Sequence, residues 1–350
     1  MFRRLAAPLA AAALMLGTHA HAQQIDKKEF NVVGTWNFLT NFQLLEKPFW
    51  TEELPKATNG NLKGNVKALN ELNLKGTELL RLLKQGVFDF AYALPIYVED
   101  GGAVMEALDI AGVARNYDMA RDIVNTWMPE MRKVMLEKHN AIILSTHTWP
   151  EQNFYCRGDV KSVEDIKGKK VRVQGTSQAD LVAALGGTGV TITFAEVVPA
   201  LEKGVVDCAI TGTMPAYKAK WPEVTNSLFR LPVGFTAGIL VVNATMFNKL
   251  SPDTQNLLKK LALEQEEKAW KLAISETEDG VYCTTGTGNC PAGPPGKLKL
   301  NKPADADAAA RDKALNDLVL KNWAKRCGAE CAAKWTEMIG KKYGLVAKAD

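Results

Sequence analysis

The sequence predicts an α/β protein of two lobes joined by a hinge. Short strand-like runs alternate with helical runs, the pattern of mixed α/β architecture. The alternation comes in two successive sets, over 29–144 and 153–213. Extended segments near Thr146–Trp149 and Gly234–Val241 mark a crossing and a return between the sets. Lobes joined by extended crossings can hinge around a ligand. The 350 residues, 47% of them hydrophobic, suffice for about two domains with cores of their own.

In the first set, strands are expected at Glu29–Val33, Asn65–Leu69 and Phe88–Tyr92. A helix over Glu46–Leu54 leads to the turn Thr58-Asn59-Gly60, and Thr77 is expected to cap a helix ended by Gly86. A long helix from Tyr117 to Lys138, with Pro129 inside it, precedes a buried strand at Ala141–Leu144. In the second set, strands are read at Asn153–Cys156, Lys170–Gln174, Val190–Phe194 and Val205–Thr211. Between them stand a short helix in SVEDIKG and helices starting at Ser177 and Glu196. Ala237–Asn243 is a long buried strand. Ser251 and Pro252 then open a helix to about Glu278, serine as N-cap and proline at the first helical position. A Gly/Pro-rich excursion over 286–302 and one or two helices over 304–340 complete the chain.

The amino terminus bounds the compartment. Arg3 and Arg4, an apolar run from Leu5 to Gly17 and the small-x-small triplet Ala20-His21-Ala22 read as a cleaved secretory leader over residues 1–22. The apolar run is too short for a spanning helix, which needs about 20 residues, and no other stretch is apolar enough to cross a membrane. An exported, periplasmic protein is expected. Lys and Arg number 43 and Asp and Glu 39, a net +4; two arginines leave with the leader, so about +2 remains. That balance excludes a nucleic-acid binder, whose affinity rests on many phosphate contacts.

Six cysteines in an oxidising compartment indicate disulfides. Cys283 and Cys290 flank a Thr/Gly-rich turn and form the first expected pair. Cys327 and Cys331 are closer in sequence, but an unbroken helix would strain their bridge. Cys156 and Cys208 each lie in a strand-like run and can pair only if those strands are neighbours. No CxxC or Cys/His cluster supports a metal site, so no cofactor is expected, and a metal ion bridging ligand and protein is not indicated.

No nucleophile elbow, phosphate-binding loop or HExxH motif is present. Only His139 and His147 remain beyond the leader as standard bases, one at a helix end and one at the crossing. The chemistry that stands out is anion geometry. Lys170, Arg172 and Gln174 share one face of a strand, Val171 and Val173 the other. Gly175-Thr176-Ser177 then opens a helix, whose free N–H groups and dipole favour anions. Thr211-Gly212-Thr213 makes a second such edge. An arginine can grip a carboxylate through two parallel bonds; on spacing alone, Arg172 is equally a solvated strand charge.

The stretch VEDIKGKKVRVQGTSQADLVAALGGTGVTITFAEVVPALEKGVVDCAITG resembles the signature of DctP-type solute-binding proteins of TRAP transporters. The resemblance lies in Asp165–Val173, Leu185–Gly187 and Glu196–Asp207, with further likeness in LLRLLKQGVFDFAYALPIYV and NKLSPDTQNLLKKLA. It implies a periplasmic-binding-protein-like fold with a long helix spanning both lobes. The lobes would comprise 26–147 with 239–275, and 148–238 with 276–350. It implies no enzyme, but capture of a small organic acid by Arg172 and the helix N-termini, and delivery to a membrane permease driven by an ion gradient. A binding protein of an ATP-driven importer, or an exported two-lobe enzyme, would share the leader and the lobes. Either a monomer or a homodimer fits.

Three departures adjust the expected site. Gln152 stands where many relatives have a second arginine, Thr211 where asparagine is common, and Leu94-Pro95 where acidic members carry a carboxylate. The remaining candidates are Trp36, Asn37, Tyr92, Trp149, Tyr155, Phe194 and Tyr217, with Thr213 at the second edge. A hydrophobic or aromatic monocarboxylate is the expected ligand.

Overall fold

The computed structural model describes residues 24–98 and 102–349; the expected leader lies outside them. Two mixed sheets face each other. The first contains β1 (Lys28–Gly34), β2 (Leu62–Ala68), β3 (Phe90–Ala93), β4 (Ala141–Thr148) and β10 (Ala237–Asn243), in the order β2-β1-β3-β10-β4. The second contains β5 (Gln152–Cys156), β6 (Lys170–Val173), β7 (Thr188–Thr191), β8 (Cys208–Gly212), β9 (Ser227–Gly234) and β11 (Lys299–Asn301), in the order β11-β9-β5-β8-β6-β7. The chain crosses between the sheets after β4 and returns between β9 and β10. Strand β2 alternates buried and exposed residues, as an edge strand with one wet face does. Central strands β3, β8 and β10 are buried throughout, which is why they read as continuous apolar runs.

The helix Pro252–Thr285 links the two halves. Ser251 Oγ accepts from the Thr254 N–H, Pro252 occupies the first turn, and Gly286 at φ 72° closes the far end. Its 34 residues give a rod about 50 Å long, continuing past the expected stop at Glu278. On the first sheet, the Trp270 indole donates to Thr146 Oγ1 at 3.3 Å. On the second, Gly280 presses against Thr213 and Met214, where a Cβ would lie 2.2 Å from the Met214 nitrogen. The C-terminal helices bind both halves as well. Arg326 bonds Asp180 at 2.7 Å and Glu106 at 3.0 Å, while the Tyr343 hydroxyl donates to Asp122 at 2.6 Å.

Several local expectations change. Helical turns begin at Asn41, not Glu46, because Glu46 is itself mid-segment and folds back onto β1. Thr77 does not cap: its hydroxyl donates to Glu78, and the helix starts at Leu79. Phe194 leaves its expected strand for a tight turn. Strands β9 and β11 are additions; β9 contains Pro232, which argues against a strand in the sequence, yet it pairs with β5 over Ser227–Phe229 and again at Gly234, with an irregularity spanning the proline.

All six cysteines are paired. Cys156 and Cys208 sit directly opposite across β5 and β8, the condition under which they could bridge. Cys283–Cys290 pins the loop after the long helix. Cys327–Cys331 also bridges, because Gly328 at φ 88° breaks the helix between them.

At the end of β1, the Glu46 carboxylate accepts from the Thr35 N–H at 2.7 Å and its hydroxyl at 2.8 Å. Burial raises the Glu46 pKa from 4.5 to about 7. The folded state therefore holds this proton more tightly than the unfolded chain, and stability from this group falls as pH rises through that interval. Thermal unfolding of Glu46→Gln should show a smaller loss of Tm between pH 5 and pH 8 than wild type. Identical losses would refute this role for Glu46.

Candidate functional site

Strand ends from both sheets converge on one cavity, as open α/β sheets bring the carboxyl ends of their strands to a crevice. β1 runs out into Trp36 and Leu39, β3 into Leu94 and Tyr97, and β4 into Trp149. From the second sheet come Gln152, Gln174 and Thr211, with Phe194 and Pro215 beside them; Thr236 enters from the return crossing. The cavity volume is about 30 Å³, and among the described residues no charged side chain lines it.

Arg172 lies behind this lining, fully buried, so it is not a solvated strand charge. Its strand β6 is flanked by β7 and β8, and neighbouring backbone holds the guanidinium. Nε donates to the Ile192 carbonyl at 2.8 Å and Nη1 to the Ile210 carbonyl at 2.9 Å. Among the described residues, Nη2 has no acceptor. The group stands 6.0 Å from the Phe194 ring centre and beside the Tyr97 hydroxyl, both on cavity-lining residues. Burial lowers the arginine pKa, and Tyr97 partly restores it.

The floor is a chain of neutral groups. Gln174 Nε2 donates to Gln152 Oε1 at 2.6 Å, Gln152 Nε2 donates to the Pro150 carbonyl at 3.1 Å, and the Thr236 hydroxyl donates to Gln174 Oε1 at 3.3 Å. These bonds join both crossings to β6. At the return, Asp109 accepts from the N–H groups of Phe235 at 3.1 Å and Thr236 at 2.9 Å.

The walls are aromatic. Trp36 meets Phe194 edge-on at 5.1 Å. Trp149 packs at 4.7 Å on His147, whose pKa burial lowers to about 3, so its imidazole is neutral at ordinary pH.

Of the expected contacts, Gln152, Thr211, Trp36, Trp149 and Phe194 line the cavity, and Arg172 abuts it. Five others lie elsewhere. Asn37 pairs with Asn70 and Glu71 outside the cavity. Tyr92 takes the opposite face of β3 from Ala91 and Ala93, near His147. Tyr155 is buried in the second sheet's core against Trp221. Tyr217 donates to the Pro294 carbonyl and holds the Gly/Pro-rich loop. Thr213 donates to the carbonyls of Glu276 and Thr277 on the long helix.

The helix N-terminus at Ser177 is also engaged. Glu106 accepts from the Ser177 N–H, so a carboxylate of the chain itself already fills the end expected to meet the ligand. Leu39, Tyr97, Gln174, Pro215 and Thr236 line the cavity without having been assigned to it, and so does Leu94, expected there only as a lost carboxylate position. Gln174 was legible from its alternation with Arg172; Thr236 reaches the site only through the return crossing. Among the described residues, no group of three or more His, Cys, Asp or Glu could hold a metal ion, and no helix is long and apolar enough to cross a membrane.

Two α/β halves, one sheet each, meet around this cavity. The model of the family described as bacterial extracellular solute-binding protein, family 7 (DctP), matches residues 40–282, and the chain belongs to that family. The C4-dicarboxylate-binding periplasmic protein DctP of Rhodobacter capsulatus is 24% identical over 287 residues, 81% of this chain and 83% of its own length. YiiZ of Salmonella typhimurium, an uncharacterized protein, is 29% identical over 136 residues, 36% of this chain and 40% of its own length. The crystal structure of DctP7, a Bordetella pertussis extracytoplasmic solute receptor binding pyroglutamic acid, superposes with a TM-score of 0.78 at 17% identity, covering 89% of this chain and 99% of that one.

Replacing Gln174 by leucine would leave the Thr236 hydroxyl and Gln152 Oε1 without their partner. Leaving such buried groups unpaired costs about 1–3 kcal/mol. Urea unfolding of Gln174→Leu should show a loss of that order, and unchanged stability would remove the network from the hinge.

Proposed function

We propose that this protein captures a small organic monocarboxylate in the cavity between its sheets and delivers it, in the periplasm, to the permease subunits of a TRAP transporter. The carrying observation is Arg172. An ionised group taken wholly out of water costs several kcal/mol unless paired. Two carbonyl dipoles and a tyrosine hydroxyl attend this one, but no carboxylate does. A ligand carboxylate on Nη2 supplies the missing charge. Because every residue lining the cavity is neutral, a single negative charge balances the site, and a second carboxylate would be desolvated without a partner.

Apolar and aromatic walls favour a ligand whose remainder is hydrophobic. The two halves already touch: Lys75 and Glu196 pair at 2.8 Å across the gap, and a Cβ at Gly175 would lie 2.3 Å from Ile96 Cγ1. These contacts support reading the arrangement as closed. Ligand favours it by as much as it binds the closed form better than an open one. Arg172 acts as a counter-charge, and the acid leaves unchanged.

Arg172→Ala should weaken binding of monocarboxylates at least about a hundredfold, ~3 kcal/mol, by calorimetric titration against a panel of small acids. Equal affinity of variant and wild type would end the assignment, and recovery of a chemically altered acid would show an enzyme instead.

A further inference from the structure

We infer that Asp109 and Thr236 form the latch of the closed arrangement: the Asp109 carboxylate holds Thr236 in a left-handed conformation, and opening lets that residue relax. Asp109 is thereby a positioning residue for capture, although it does not line the ligand cavity. This rests on the cavity between the sheets being the capture site and on the closed reading of the contacts across it.

The starting observation is a backbone outlier. Among the described residues, the non-glycine residues with positive φ are Asn59, Asn73, Asn140, Lys220 and Thr236. Asparagine tolerates that region, and Lys220 is exposed at a turn. Thr236 is instead β-branched, 4% exposed and at φ 36°, on the return crossing between β9 and β10. Strain of this kind persists only where the surroundings over-determine it.

Asp109 supplies that constraint. Its two oxygens accept from the N–H groups of Phe235 at 3.1 Å and Thr236 at 2.9 Å. A Cβ at Gly234 would lie 2.5 Å from Asp109 Oδ1, so glycine there lets three successive residues wrap one carboxylate. Burial raises the Asp109 pKa from 3.8 to about 6, which leaves it ionised at neutral pH and its bonds charge-assisted. From the other side, the Phe235 carbonyl accepts from the Thr148 hydroxyl at 2.6 Å and the Trp149 N–H at 3.3 Å.

The held conformation reaches the cavity. Thr236 lines it, and its hydroxyl donates to Gln174 Oε1 at 3.3 Å. Gln174 follows β6 in the second half, whereas Asp109 precedes the helix Tyr117–His139, which leads into β4 of the first. Thr236 is therefore bonded to both halves at once. Separating them breaks its bond to Gln174 and removes one support of the strained φ. A residue at the end of an element that absorbs a backbone change is what a hinge requires.

Calorimetric titration with pyroglutamate and 4-methylpentanoate, a polar and an apolar monocarboxylate, tests this. Asp109→Asn should weaken both about tenfold and to the same extent, because Asp109 acts on closure and not on ligand. In a Thr236→Gly background, where a left-handed φ costs little, the same substitution should cost less than about threefold. A merely structural role would give the same loss in both backgrounds. Hydrogen exchange checks the unaltered protein: the Phe235 and Thr236 amides should exchange at least about tenfold more slowly under saturating acid than in dialysed protein. Asp109→Asn binding as wild type, equal losses in the two backgrounds, or amide exchange unmoved by a bound acid overturns the latch. If it falls while Arg172→Ala still abolishes binding, carboxylate capture stands. If wild type binds neither acid, both readings fall.

Discussion

The arrangement depends on one buried positive charge, Arg172, that no carboxylate among the described residues neutralises. Arg172 is held by the carbonyls of Ile192 and Ile210, which follow and lie within the neighbours of its strand. Strands β7 and β8 must therefore flank β6 for the guanidinium to be placed at all. The Cys156–Cys208 bridge reinforces the next interface in that sheet, between β5 and β8. What the second sheet offers is a cation held in place by its own backbone carbonyls. A guanidinium held this way spares the binding step the cost of ordering it.

The first sheet contributes shape more than charge. Trp36, Leu39, Leu94 and Trp149 follow its strand ends and close the cavity from the other side. Both halves are tied by elements that bypass the crossings: the 34-residue helix and the C-terminal helices anchored through Arg326. Glu106 is central to that tie. It receives the Ser177 N–H from the second half and Arg326 from the C-terminal helices. A helix N-terminus that the sequence presents as an anion site is thereby used to join the halves.

Much of the fold was legible in the sequence because burial on both faces writes long apolar runs. β10 matches its expected bounds, Ala237–Asn243, and Ser251-Pro252 opens the long helix as their capping chemistry requires. Strand β9 was not legible, since Arg230 and Pro232 disguise a strand whose pairing with β5 breaks register around the proline and resumes at Gly234. The site was legible where alternation decides it, at Arg172 and Gln174. It was illegible where the facing of a side chain depends on partners remote in sequence. Tyr92 and Tyr155 lie within strands and point into cores, whereas Trp36 and Trp149 follow strand ends, the feature that favoured them in the sequence. The occupied N-terminus at Ser177 depends on Glu106, 71 residues earlier.

The central claim is that the cavity holds one singly charged acid against Arg172. Mass spectrometry of the small molecules released by denaturing freshly purified protein tests it most directly. The account expects an acid with a single carboxylate, close to one per chain, and its absence from Arg172→Ala prepared in the same way. A dicarboxylate, a cationic ligand, or the same acid retained by the variant would contradict it.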